Sequence, residues 1–252
     1  MTRMPAPLIL PVLGLGLAAA LWAVATLLLA TETPILANFA PLEAVRALAA
    51  LIVDPLMWDH IGVSLQRVAV GLVVALAIGV PLGILTGVSR VFAQTTTPLF
   101  QFLRMISPLS WMPIAVMVLG VGDAPVYFLL AFAAVWPILL NTAAGVAQLD
   151  RNWLMLARSL SATRFETLFR VVLPGIVAHI LSGVRLAIGI IWIILVPAEM
   201  LGVSAGLGYF ILDARDRLAY PDLMAAILII GALGFALDYA ARWLYQHWLH
   251  KR

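Results

Sequence analysis

The 252 residues are 64% hydrophobic and 11% charged, with a mean hydropathy of +1.08, against about 45–50% apolar and about 25% charged in an ordinary soluble domain. A chain of this size cannot hide that excess in one core, because its surface would still have to be polar, so its solvent is lipid. The lack of cysteine excludes disulfides and thiolate metal sites, four scattered histidines make no metal site, and the net charge of +3 rests on 15 basic residues gathered in particular loops rather than in a nucleic-acid patch.

A helix needs roughly 20 mainly apolar residues to cross about 30 Å of hydrocarbon, so the gaps between charges measure the spans. Six can be marked. The first lies between Arg3 and Glu32, the second between Arg67 and Arg90, the third between Arg104 and Asp123, and the fourth between Asp123 and Asp150. The fifth, about Gly175 to Leu201, contains Arg185 and ends with Glu199, and the sixth, about Leu223 to Trp243, contains Asp238 and Arg242. The first apolar run is too long for the core of a signal peptide and has no convincing small-x-small cleavage site, so an uncleaved span is expected.

With both termini cytoplasmic, the inner segments hold Arg3, Arg90, Arg151, Arg158, Arg164, Arg170, Lys251 and Arg252, and the outer ones only Arg46, Arg215 and Arg217. The excess of inner positive charge selects this orientation. Between the first two spans, Pro41 to Ile52 places Leu42, Val45, Leu48, Ala49 and Ile52 on one helical face, which predicts a short amphipathic helix at the outer surface. Gly14 and Gly16, and Gly79 and Gly83, read as close-packing positions. The expectation is an all-α membrane protein, one transmembrane domain over 1–252, with a first span and outer segment in 1–60 and a five-helix core in 61–252.

The loop at 150–174, DRNWLMLARSLSATRFETLFRVVLP, is too polar for lipid and too patterned for an idle connection. A first helix, about Asn152 to Leu160, puts Trp153, Leu156, Ala157 and Leu160 on one face. Thr163-Arg-Phe-Glu166 then fits a capping box that opens a second helix, which Leu173-Pro174 is expected to stop. Phe165, Leu168 and Phe169 on its surface suit docking into a groove on another protein, although an interfacial helix resting on anionic headgroups fits the same pattern.

The chain resembles the permease subunits of bacterial ABC importers, in the nitrate, sulfonate, bicarbonate and taurine branch. The residues that carry the likeness are PLGILTGVSR at Pro81 to Arg90, PLSWMPIAVMVLGVGDA at Pro108 to Ala124, WPILLNTAAGV at Trp136 to Val146 and ARSLSATRFETLFRVVLPG at Ala157 to Gly175. It continues through SGVRLAIGIIWIILVPAEMLGVSAGLGYFILDAR at Ser182 to Arg215. The resemblance implies a type I importer permease fold in the bacterial inner membrane, with the 150–174 loop coupling to an ATPase through Ala157, Arg158, Ser161, Ala162, Thr163, Phe165, Glu166, Leu168, Phe169 and Pro174. The glutamate-alanine-alanine of such loops falls on Met155, Leu156 and Ala157 and their glycine on Ser161, so only Ala157 agrees.

A phosphate-binding G-x-x-x-x-G-K-[ST] loop is absent and the one lysine is Lys251, so this chain does not bind ATP in that way and any driving engine lies on another subunit. The resemblance implies the same ATPase, carrying ATP and magnesium, together with a second permease chain as a homodimer and an extracytoplasmic solute-binding protein. No cofactor and no nucleic acid is expected on this chain itself.

Ionisable groups at membrane depth usually face protein or water. Arg185 either draws an anion or pairs with a carboxylate such as Asp238, Arg67 and Arg104 sit near span ends where they snorkel, and Glu199 either fixes the glycine-rich loop after span five or touches substrate. Pro108 and Pro113 break span three around Ser110 and Trp111, where a pathway lining is expected. Asn141 offers an amide to an oxyanion or across a helix interface, and the N–H groups of Gly202 to Tyr209 are placed to meet an anion. These residues lean toward a small anion, and the resemblance implies nitrate, bicarbonate or a sulfonate such as taurine. A self-sufficient secondary transporter or channel is the competing class, needing an ion relay for which Glu199 and Asp238 are the candidates. An intramembrane enzyme would need a nucleophile and base at depth, and His179 has no such neighbour in sequence.

Overall fold

The computed structural model describes residues 9–31 and 33–250, and among them no strand forms. Arg3, Glu32, Lys251 and Arg252, on which the first span's limits and the placing of the termini partly rest, lie outside the described residues. Two compact units are present, one of residues up to Asp59 with Phe210–Gly231 and the other of His60–Tyr209 with Ala232 onward.

The first unit contains α1 (Ile9–Ala30) and α2 (Pro41–Val53), joined through a 3-10 turn at Pro34–Phe39. The Trp22 indole donates to the Phe39 carbonyl at 3.0 Å, and the Phe39 ring lies 4.9 Å from that of Tyr220. On α2 the inward residues are Ala44 and Leu51, while Leu42, Val45 and Ile52 of the expected apolar face are exposed. An exposed apolar stripe on a short helix is what a lipid interface would cover.

The second unit is built on α3 (Pro55–Val88), α4 (Arg90–Met105), α5 (Met112–Leu119), α6 (Asp123–Ala147) and α9 (Leu173–Glu199). Its core is apolar and centred on α6 and α9, with Leu129, Leu130, Ala134 and Ile138 against Ala187, Ile191, Leu195 and Ala198. Glycines on α3 let its backbone close onto α6, as expected for Gly79 and Gly83. A Cβ on Gly83 would stand 2.6 Å from Thr142 Cβ, and one on Gly87 2.5 Å from Val146 Cβ. Gly14 and Gly16, by contrast, have open space around them among the described residues.

Two span limits read from the charges are corrected. Helix α3 has 34 residues and runs through Arg67 instead of starting after it, because Arg67 is paired inside the protein and so does not end an apolar segment. The third span is not one helix between Arg104 and Asp123. It is a broken pair, Arg90–Met105 with Pro108–Leu119, bent by 88°, since Pro108 cannot donate to the preceding turn and Ser107 ahead of it is driven from helical geometry. Four helices among the described residues are long and apolar enough to cross a membrane, or five with the bent pair as one span. These are α3, α6, the helical run Arg164–Glu199 and α11 (Tyr220–His250), while α1 contributes the shorter apolar stretch Leu13–Leu29.

The polar segment forms α7 (Arg151–Ser159), close to the limits expected, and α8 (Arg164–Thr167), which begins where expected. Leu173-Pro174 does not stop the second helix. A π turn at Leu168–Val172, in which the Leu173 N–H bonds the Leu168 carbonyl, carries the chain into α9 with Pro174 in its first turn. A proline ring there is accommodated because the widened turn removes the usual donor requirement and clash. The run Arg164–Glu199 has 36 residues, a rise of about 54 Å against about 30 Å of hydrocarbon, so its first turns stand outside the membrane.

Candidate functional site

Arg67 is 2% and Glu199 0% exposed, and they meet where α6 begins and α9 ends. The guanidinium donates to Glu199 at 2.7 Å, to Asp123 at 2.6 and 2.9 Å, and to the Ala205 carbonyl at 2.7 Å. Glu199 also accepts from the Ser64 hydroxyl at 2.8 and 2.9 Å and from the Gly208 N–H at 2.9 Å. Burial of two full charges is sustained because nearly every lone pair and N–H in the cluster has a partner. Arg67 therefore does not snorkel. Its turn-neighbour Ser64 places hydroxyl and guanidinium on one face of α3.

In the glycine-rich stretch after Glu199 the N–H groups of Gly206, Leu207 and Gly208 are taken up inside the protein, which narrows the reading of Gly202 to Tyr209 as an anion-binding row. Gly206 N–H donates to His60 Nδ1 at 3.0 Å, Leu207 N–H to the Ser64 hydroxyl at 2.9 Å and Gly208 N–H to Glu199. The carboxylate of Glu199 is itself the anion at the start of α10 (Leu207–Asp216). Gly206 has φ 116, and a Cβ there would lie 2.5 Å from Arg67 Nη1, so only glycine lets the loop close over the ion pair. The sequence left Glu199 open between anchoring the loop and touching substrate, and gave no sign that Ser64, His60 and Asp123 complete the cluster.

Arg185 meets Asp238 at 3.5 Å, and Asp238 is also ion-paired with Arg242 one turn on. The three line or flank a cavity of about 550 Å³ with Ser182, Gly189 and Tyr245. Since Glu199 and Asp238 both hold arginines, neither is a free relay carboxylate. Asn141 does not reach across a helix interface: its side-chain amide donates to the Pro137 carbonyl of its own helix at 2.8 Å. In the broken span Ser110 is exposed, while Trp111 is half-buried 5.7 Å from Phe132 with its indole N–H lacking an acceptor.

In the polar segment the capping box is complete. Thr163 accepts from the Glu166 N–H at 3.2 Å, and the Glu166 carboxylate accepts from the Thr163 N–H and hydroxyl at 2.8 Å each. Those bonds, with Arg170 nearby, hold the Glu166 carboxyl below its ordinary range. Ser161 has φ 54, the left-handed region, so the position where the resemblance puts glycine has the backbone that favours glycine. The Ala162 N–H closes the turn on the Ala157 carbonyl at 3.0 Å, and Ala157 is buried while Arg158 is exposed. Phe165 and Phe169 are 73% and 53% exposed with ring centres 5.1 Å apart. Leu168 is half-buried and does not share their surface fully. Behind them Trp153, Leu156, Leu160, Val171 and Pro174 line a groove of about 540 Å³.

Residues 79–250 match the binding-protein-dependent transport system inner membrane components. The chain belongs to that family. The permease is 42% identical over 196 residues to a bicarbonate transport system permease protein of Synechococcus elongatus, covering 77% of this chain and 69% of that one. It is 37% identical over 208 residues to a nitrate import permease protein of Leptolyngbya laminosa, with 79% and 74% covered. A taurine transport system permease protein of Escherichia coli is 32% identical over 189 residues, with 75% and 69% covered. The fold is shared with a chain of the MetNI methionine ABC transporter solved in inward-facing conformations, at TM-score 0.64 and 16% identity over 77% of this chain and 98% of that one. The permease is thus a multi-pass inner-membrane subunit of an ABC importer.

Proposed function

We propose that the permease forms the translocation pathway of an importer for a small oxyanion or sulfonate, driven by ATP bound with magnesium on a separate ATPase subunit. The single observation that carries the energy-coupling part is the exposed pair Phe165 and Phe169, rings in contact and tilted by 33°, on a capped helical segment outside the apolar spans. Two large aromatic faces left in water are costly, and a groove on an ATPase would cover them. In this reading the whole of 1–252 is one membrane domain, both termini are cytoplasmic, and 150–174 is the coupling segment. Two copies surround the pathway, and a solute-binding protein delivers the substrate from outside.

The substrate class is supported by the relatives, whose names specify bicarbonate, nitrate and taurine, and by the basic side chains at depth. Ser110, Trp111, Asn141 and Arg185 remain the proposed pathway residues. Glu199 leaves that set, since it is 0% exposed and its oxygens are taken. Calorimetry of the cognate binding protein with nitrate, bicarbonate, taurine and an alkanesulfonate tests the class. Heat of binding with one of these anions is expected, and binding of only a cation or neutral sugar would refute it.

A further inference from the structure

Helix α4 carries Arg90, Gln94, Thr97, Gln101 and Arg104 at alternating four- and three-residue steps, which lays a polar stripe along one face of an otherwise apolar segment. Arg104 stands at the bend of the broken span, not at its end, and is exposed. Among the described residues it has no carboxylate partner and no hydrogen bond, whereas Arg67 and Arg185 each have a carboxylate. Charge at membrane depth without a partner is costly. Beside Arg104 is a small pocket of about 70 Å³ whose polar lining is Thr86, Thr97, Gln101 and Arg104, closed by Trp136 and Leu139. Trp136 is 8% exposed, and its indole N–H is buried without an acceptor.

We propose that this pocket binds a small planar oxyanion, nitrate or bicarbonate, and is the anion-selecting contact of the pathway, an inference that rests on the anion-import reading above. The lining supplies the Arg104 guanidinium, the Gln101 amide, the Thr97 hydroxyl and the Trp136 indole N–H, and no carboxylate, while the Thr86 hydroxyl already donates to the Leu82 carbonyl at 2.7 Å. A cation would meet a fixed positive charge here, while an oxyanion gains charge-assisted hydrogen bonds from Arg104 and an acceptor for the indole N–H. The volume of about 70 Å³ is several times the roughly 10–15 Å³ that a cavity needs on the same measure to hold one water. Such a space accommodates an ion of four heavy atoms.

The test uses the complete importer, permease with its ATPase and binding protein, in proteoliposomes, with nitrate and bicarbonate as probes at subsaturating concentration. Arg104→Gln should lower kcat/KM for uptake about tenfold or more, the loss of a charge-assisted contact, with Arg104→Lys in between. Trp136→Phe, which keeps the ring and its packing, should lower it several-fold through KM. Recovery of the intact complex by co-purification checks assembly, and if Arg104→Gln fails it, Arg104→Lys and Trp136→Phe carry the result. Unchanged uptake in assembled variants of an importer that does carry nitrate or bicarbonate overturns the site while leaving anion import standing. An importer that carries taurine but neither planar ion also overturns the site, and a binding protein that takes only a cation or neutral sugar overturns both.

Discussion

Replacing Arg67 by methionine keeps an apolar side chain of similar length in α3 but strips Glu199 of its counter-charge. The carboxylate, 0% exposed, would keep only the Ser64 hydroxyl and the Gly208 N–H. Breaking a buried pair by removing one partner costs about 3–5 kcal/mol, a fall of roughly 6–20 °C in Tm at about 2–4 °C per kcal/mol for a chain near this size. Asp123 holds the same guanidinium, but its side chain is 51% exposed, so Asp123→Asn should cost only about 0–1 kcal/mol. In the double variant Arg67→Met with Glu199→Gln no buried charge is left unpaired, and its cost should fall short of the summed single costs by up to about 3 kcal/mol. Thermal unfolding in detergent micelles, followed by circular dichroism, measures all four. Additive costs, or Asp123→Asn as damaging as Arg67→Met, would refute a buried ion pair as the clasp between α3, α6 and the loop after α9.

Phe165→Asp or Phe169→Asp should abolish co-purification of the ATPase with the permease while membrane insertion continues, because an unpaired carboxylate in a docking groove costs several kcal/mol; full recovery of the ATPase with both variants would argue that the segment rests on lipid headgroups. The capping box should be pH-dependent. The Glu166 carboxyl is held below its ordinary value by bonds from Thr163, so its contribution is complete above the unfolded carboxyl's range and is lost as pH falls through the lower folded value. Glu166→Gln should therefore flatten the acid limb of amide hydrogen exchange in α8, and an identical profile for both proteins would count against the box as its cause.

Hydropathy revealed the membrane class, and the capping box, the first helix of the polar segment and the start of the second were legible residue by residue, because local spacing alone determines them. The charge ruler misplaced the start of α3 for one reason. It treats each charge as a boundary, yet Arg67 is neutralised inside the fold by Glu199, 132 positions away, a pairing no local pattern announces. For the same reason the loop after Glu199 looked like an open row of N–H donors, whereas His60 and Ser64, far off in sequence, accept two of them. The α4 stripe was readable in principle from the four- and three-residue spacing of Gln94, Thr97, Gln101 and Arg104.

Reconstitution of the purified permease in liposomes, with and without its ATPase subunit and binding protein, tests the central claim most directly. Anion uptake is expected only when all three are present and ATP with magnesium is supplied on the ATPase side, and ATP should not bind the permease alone. Uptake by the permease alone, driven by an ion gradient, would contradict the account.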